Sequence, residues 1–166
     1  TASNLMREFN VGLCGVNSTA NPFYMSDKVK LCKSCICGGM QLFFNEPDLN
    51  LTINQGTDAL ESCYYLDKYE FNLKFDFMTI KTKLFSVGGL YDYRQNKQKT
   101  HQDYLHVANT YPKYLDYYTW EDGAELGYDN NGKSVKIPKS RRKELTIELK
   151  WKRTQSKTIR VKEDVF

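Results

Sequence analysis

Hydrophobic and polar residues alternate along much of this chain, most clearly over residues 69–77. The apolar positions of that segment are Tyr69, Phe71, Leu73, Phe75 and Phe77. A period of two places successive side chains on opposite faces of a β-strand, so the segment predicts a strand. The phase changes at Met78. One inserted residue would produce this change, which predicts a β-bulge or a crossing between sheets there.

Three further segments have strand-like patterns. Leu49, Leu51 and Ile53 alternate with polar neighbours, and Asn131-Gly132 supplies the positive φ angles of a tight hairpin turn. Near the end of the chain a hairpin is predicted, with a polar turn at 153–157. Its core-facing residues are Leu145, Ile147, Leu149 and Trp151 on one strand and Ile159, Val161 and Val165 on the other.

Helical patterns are scarce, since only residues 58–68 and 100–110 could form short helices. The chain has 12 Tyr and 9 Phe, and aromatic residues favour strands. A length of 166 residues fits one domain. We therefore predict an all-β fold for 1–166: a single-domain β-sandwich or jelly roll with at most one or two short helices.

Charge is distributed unevenly along the sequence. Residues 133–166 hold 12 basic and 4 acidic residues, a net charge of +8, whereas the whole chain carries +4. A basic segment can bind nucleic acid, sulfated glycans or acidic protein surfaces. No stretch reaches the roughly 20 apolar residues of a membrane span, so none is predicted.

The cysteines allow three interpretations, which the sequence leaves open. The five are Cys14, Cys32, Cys35, Cys37 and Cys63. They could form disulfides, with one thiol left over, and this is the favoured interpretation. Alternatively, zinc could be bound by the Cys32-x-x-Cys35 pair with Cys14 and Cys63, although a second close pair is missing. They could also be free thiols in the core.

Two glycosylation sequons support an oxidising compartment. They begin at Asn17 and Asn50. We therefore expect a secreted glycoprotein or a protein of the cell or virion surface. An intracellular location is the alternative.

The most distinctive binding candidate is an aromatic segment around Pro112. Its rings have no regular spacing, which predicts a loop that exposes some of them. The candidates are Tyr104, Tyr111, Tyr114, Tyr117, Tyr118 and Trp120. Exposed Tyr and Trp give a large contact area at low entropic cost. Arg141, Arg142 and Lys143 follow in a predicted loop and would add electrostatic attraction.

Candidates for catalysis are weaker. Glu148 and Lys150 resemble half of a metal-dependent nuclease site, but such a spacing also occurs on any solvated strand face. His101, Asp103 and His106 could form an acid–base or metal site, although their spacing fits an exposed polar segment better. An enzyme is therefore less favoured than a binding protein.

A local resemblance points the same way. Residues 83–87 (KLFSV), 90–93 (LYDY), Tyr111 and 114–117 (YLDY) resemble a stretch in the galectin-like spike heads of rotaviruses. The resemblance implies a viral recognition domain that binds glycans.

The function predicted from these features is non-enzymatic recognition of a host protein or glycan. The aromatic segment and the basic residues would make the contact, and no cofactor is needed. The alternatives are an intracellular zinc-stapled protein that binds nucleic acid or a protein, and a metal-dependent nuclease.

Overall fold

The computed structural model describes residues 1–19, 21–37, 39–80, 96–139, 146–152 and 155–161. Within these residues the protein is mainly β, with nine strands in two sheets and three short α-helices. The mainly β class is confirmed, although three helices exceed the one or two expected. The single-domain organisation and the sandwich or jelly-roll arrangement stay predictions. The chain divides into two compact units.

The first unit is formed by the described residues within Thr1–Asn50, Asp58–Leu84 and Arg153–Phe166. It contains a five-stranded sheet in the order β3-β1-β4-β2-β9. β1 and β4 are parallel, and the other neighbours are antiparallel. The strands are β1 (Leu13–Asn17), β2 (Val29–Cys32), β3 (Gln41–Phe43), β4 (Asn72–Thr79) and β9 (Ser156–Ile159).

Helices cover both faces of this sheet. The first, α1 (Ala2–Glu8), buries Leu5 and Met6 in a cluster that includes Cys14. The second, α2 (Thr57–Tyr69), buries Tyr65 in a cluster that includes Leu13. Because Leu13 and Cys14 are consecutive in β1, their side chains point to opposite faces. The sheet therefore lies between the two helices.

Both faces of β4 are buried, although its alternating sequence predicted one buried and one exposed face. Leu73 and Phe75 are buried as predicted, but Asn72 and Asp76 on the other face are buried too. The Asn72 amide donates to the carbonyl of Ser62 (3.2 Å), and Asp76 is paired with Lys30. Polar residues on the second face of β4 are thus packed against protein: the Asn72 Nδ2 donates hydrogen bonds and Asp76 is ion-paired, while Asn72 Oδ1 has no hydrogen-bond partner among the described residues.

The second unit comprises the described residues within Leu51–Thr57 and Phe85–Lys152. Its antiparallel sheet has the order β7-β6-β5-β8, and helix α3 (Lys97–Thr110) contacts β5 and β8. Val107, Leu115 and Ile147 are buried there. The strands are β5 (Leu115–Thr119), β6 (Leu126–Asp129), β7 (Ser134–Lys136) and β8 (Ile147–Trp151).

Several local predictions are confirmed. α2 and α3 cover the two segments given helical potential. β6 and β7 form the predicted hairpin, and Gly132 has a φ of +78° in its turn. The β1–β4 register also shifts, because Val16 pairs with Phe75 but Asn17 pairs with Thr79. That irregularity lies where the hydrophobic phase changes.

Two strand predictions are wrong. The segment from Leu49 to Ile53 forms no strand. The tail contains two strands, but β9 begins inside the predicted turn at 153–157 and includes only Ile159 of the predicted second strand. The two strands also do not pair with each other: β8 pairs with β5, and β9 pairs with β2. Alternation identifies strands, whereas the partner of a strand depends on residues far away in the chain. Leu145 and Val165 lie outside the described residues.

Candidate functional site

All five cysteines are free, so the structure shows none of the disulfides that the sequence favoured. Cys14, Cys32 and Cys63 are buried in the first unit. Burial raises the pKa of Cys14 to about 11 and raises the pKa values of Cys32 and Cys63 as well. These three thiols are packed as small apolar side chains.

The zinc alternative is not supported by the positions of its ligands. Within the described residues, which include every cysteine, no group of three or more His, Cys, Asp or Glu could hold a metal ion. The C-x-x-C spacing failed as a guide because Cys32 belongs to β2 and faces the core, whereas Cys35 lies in the following segment beside Cys37.

The two sequons have different surroundings. Asn17 is only 4% exposed, and its Nδ2 donates to the carbonyl of Tyr24 (2.8 Å). A side-chain amide that is buried and hydrogen-bonded cannot carry a glycan in the folded protein, so the prediction for Asn17 is wrong. Asn50 is exposed. Its glycosylation stays a prediction.

The predicted aromatic loop is mostly regular structure. Tyr104 lies on α3, and Tyr117 and Tyr118 lie on β5. Trp120 is 6% exposed and belongs to the core. The five tyrosines, Tyr104, Tyr111, Tyr114, Tyr117 and Tyr118, are all half-buried. Their irregular spacing reflects a change from a helical to a strand period. Arg141, Arg142 and Lys143 lie outside the described residues.

One cavity does bring together residues that the sequence marked. It has a volume of about 230 Å³ and lies on the sheet of the second unit, where Tyr118, Glu148 and Lys150 line it beside Ile137 and Pro138. The Lys150 ammonium donates to the Tyr118 hydroxyl (2.5 Å), and this bond raises the pKa of Lys150. The same ammonium lies 5.2 Å from the centre of the Tyr118 ring.

The histidine candidates are not assembled into a site. His101 Nδ1 is 2.9 Å from Thr146 Oγ1, and burial lowers the pKa of His101. Asp103 accepts hydrogen bonds from the backbone N–H groups of Asn54 and Gln55. His106 is exposed on α3. Asp103 therefore has a structural role in holding residues 54–55.

Among the described residues, the most exposed aromatic side chains belong to a segment that the sequence reasoning missed. Phe23 is 85% exposed and Tyr24 is 63% exposed. Their ring centres are 5.1 Å apart, and the rings meet edge to face. We call this pair the aromatic tip. The signal that could have found it is Asn21-Pro22 directly before two aromatic residues, outside any alternating segment.

Hydrogen bonds hold the backbone of the aromatic tip. The Asn21 side chain accepts from the N–H of Phe23 (3.1 Å) and begins a 3₁₀ turn over Pro22–Tyr24. The buried Asn17 binds the Tyr24 carbonyl, and the carbonyl of Asn17 accepts in turn from the Thr79 hydroxyl (2.8 Å). The loop is thus connected to both β1 and β4.

Other exposed apolar side chains lie at the same end of the sheet. Met78 is 39% exposed and Ile80 is 44% exposed, at the end of β4. Met40 is 57% exposed and precedes β3, where Gly39 approaches Ile80. Because β1 and β4 are parallel, their carboxyl ends lie at the same end of the sheet, where these residues are found. The aromatic tip follows β1 in the chain and lies beyond the same end of the sheet.

Comparisons with known proteins add no relative. No family model matches the chain, and neither a curated protein nor a solved structure matches it significantly. The resemblance to spike heads therefore gains no support from them. Among the described residues, no helix is long and apolar enough to cross a membrane.

Proposed function

We propose that this chain is a non-enzymatic recognition protein that binds a protein partner through the aromatic tip. An apolar cleft on the partner would receive Phe23 and Tyr24, and Met40, Met78 and Ile80 would surround the contact. The exposed sequon at Asn50 supports an extracellular or surface location, as part of the same proposal.

The observation that carries the proposal is the 85% exposure of Phe23 on a hydrogen-bonded loop. A phenylalanine ring that moves from water into an apolar pocket contributes about 1.5–3 kcal/mol. The backbone is already ordered by Asn17 and Asn21, so little conformational entropy is lost on binding. Rigid aromatic residues of this kind are frequent binding hot spots.

Charge favours a protein over an anionic membrane as the partner. The described residues that flank the aromatic tip include one acidic and one basic side chain, Asp27 and Lys28, and so provide no basic cluster. Anionic lipid surfaces select clusters of Lys and Arg. A glycan is less favoured as the ligand. A sugar would need a free ring face to stack on, and in the cavity of the second unit the ring of Tyr118 is already covered by Lys150.

The test is a binding screen of the whole chain against a panel of purified proteins. The tip variant is Phe23→Ser with Tyr24→Ser. The matched control is Leu126→Ser with Tyr128→Ser, which also removes two exposed apolar side chains, 56% and 58% exposed, but from β6. We expect a partner whose affinity falls at least about 30-fold in the tip variant, equivalent to 2 kcal/mol.

The control variant should bind that partner as the unmodified chain does. Both variants should keep their unfolding midpoints, since the residues removed are exposed. If every partner found binds the tip variant and the unmodified chain equally, or if the panel yields none, the proposal is wrong.

A further inference from the structure

Cys35 and Cys37 differ from the other three cysteines in accessibility and in their neighbours. Cys37 is exposed and Cys35 is half-buried, whereas Cys14, Cys32 and Cys63 are buried. The thiols of Cys35 and Cys37 are hydrogen-bonded to each other. The structure therefore brings the thiol of an exposed cysteine into contact with the thiol of a half-buried one.

The residues around this pair hold its backbone in place. Ile36, between the two cysteines, is fully buried, and its N–H donates to the Ser62 hydroxyl (2.9 Å). The same hydroxyl donates to Cys35 Sγ (3.8 Å). The Gln41 side chain donates to the Ile36 carbonyl (2.5 Å). The two thiols are thus held together by a site built from α2 and the start of β3.

The two thiols also have different acidities. The hydrogen bond from Cys35 lowers the pKa of Cys37, and the positive charge of Lys74 acts in the same direction. The same contact, together with burial, raises the pKa of Cys35, while Asp58 opposes ionisation of both. Cys37 is therefore the more acidic thiol of the pair, and Cys35 is the less acidic one. A thiolate is the reactive form of cysteine.

Chain geometry permits a bond between the two sulfur atoms. Two residues of extended chain span at most about 7 Å. Disulfide-bonded cysteines have Cα atoms roughly 4.4–6.8 Å apart, a separation that two cysteines with one residue between them can reach. Exposed disulfides of this kind are reduced more easily than buried structural ones.

We propose that Cys35 and Cys37 form a reversible dithiol–disulfide site that reacts with low-molecular-weight disulfides. The Cys37 thiolate attacks one sulfur of the oxidant, forms a mixed disulfide and releases the other half as a thiolate. Cys35 then loses its proton to solvent and attacks Cys37 Sγ. This closes the Cys35–Cys37 bond and expels the second thiolate. Two electrons pass from the protein to the oxidant, which leaves as two thiols.

The test uses the whole chain in glutathione buffers of graded oxidised-to-reduced ratio, followed by acid quenching and alkylation. Trypsin with Asp-N protease then releases residues 34–47, in which Cys35 and Cys37 are the only cysteines. In oxidising buffer we expect this peptide to take up no alkyl group and to be two hydrogen atoms lighter than the dithiol form. In reducing buffer we expect it to carry two alkyl groups. The peptides that contain Cys14, Cys32 and Cys63 should stay reduced.

Two variants test the order of the steps. Cys35→Ser should accumulate a glutathione adduct on Cys37, because the second attack is missing. Cys37→Ser should form neither product quickly, and Cys63→Ser should behave as the unmodified chain does. At neutral pH the alkylation of Cys37 should be at least about tenfold faster than that of the three buried cysteines.

Three results would overturn the proposal. The first is a peptide 34–47 that stays reduced at every glutathione ratio. The second is a bridge that joins Cys35 or Cys37 to one of the buried cysteines. The third is an adduct that forms on Cys35 in the Cys37→Ser variant as fast as it forms on Cys37 in the Cys35→Ser variant.

Discussion

At the scale of single residues, Asn17 has a role that the sequence around it does not indicate. Its sequon predicted an exposed, glycosylated asparagine. In the structure its amide is buried and links the Tyr24 carbonyl to β1. A sequon is a local pattern, whereas burial depends on the elements that pack around the residue. The same residue therefore supports the aromatic tip.

A single-atom change tests this role. Asn17→Asp replaces the donor nitrogen by a carboxylate oxygen that faces the Tyr24 carbonyl. Asn17 is buried, and a buried polar group that loses its partner costs about 1–3 kcal/mol, and more when the group is charged. We expect a loss of at least 2 kcal/mol in the free energy of unfolding measured with urea.

Asn21→Asp is the control for that experiment. Asn21 is exposed and uses its Oδ1 as the acceptor for Phe23, and aspartate keeps this atom. Its unfolding free energy should stay within about 0.5 kcal/mol of the unmodified chain, as for most surface substitutions. Equal losses in both variants would contradict the role given to Asn17.

At the scale of elements, α2 holds the irregular segment that follows β3 through a polar network. Lys68 donates to Glu46 (2.5 Å), Tyr69 donates to the same carboxylate, and Tyr64 donates to Asp48 (2.6 Å). These hydrogen bonds lower the pKa values of Glu46 and Asp48. The sequence predicted the helix from its pattern, but the partners of its polar side chains, Glu46 and Asp48, come from a segment for which the sequence pattern predicted no structure.

The lowered pKa values predict acid sensitivity of the first unit. A carboxyl group whose pKa is lower in the folded state stabilises the fold above its unfolded-state pKa, and that contribution disappears as the pH falls through its folded-state pKa. For Glu46 the loss begins below its ordinary value of 4.5. Unfolding midpoints in urea should therefore fall between pH 7 and pH 3, and less steeply in Glu46→Gln.

Glu121→Gln provides the comparison, because Glu121 is an exposed residue of the second unit outside this network. Its midpoints should follow those of the unmodified chain at every pH. If Glu46→Gln loses as much stability on acidification as the unmodified chain does, the network does not cause the acid sensitivity.

At the scale of the whole molecule, the two strands near the end of the chain belong to different sheets. β8 completes the sheet of the second unit, and β9 pairs with β2 in the first. Ile159 in β9 is 8% exposed and belongs to the cluster around α1. A core that joins residues so far apart in sequence cannot be predicted from the tail alone.

Removing the Ile159 side chain tests that long-range packing. Ile159→Ala deletes buried methyl groups and leaves a cavity, which costs about 2–5 kcal/mol in a core. Thr158→Ala is the matched control, because Thr158 is the exposed neighbour in the same strand. We expect urea unfolding to separate the two variants by at least 1.5 kcal/mol, and similar unfolding free energies would contradict the placement of β9.

The sequence by itself determined the local structure: the alternating residues of β4, the helical segments of α2 and α3, and the Asn-Gly turn between β6 and β7. These features follow from backbone geometry within a few residues. Tertiary structure decided which strands pair, that Asn17 is buried, that Phe23 is exposed, and that Cys35 meets Cys37. All four features depend on packing between segments that are distant in the sequence. The burial of a residue, its hydrogen-bond partners and the acidity of a thiol are set only when those segments come together.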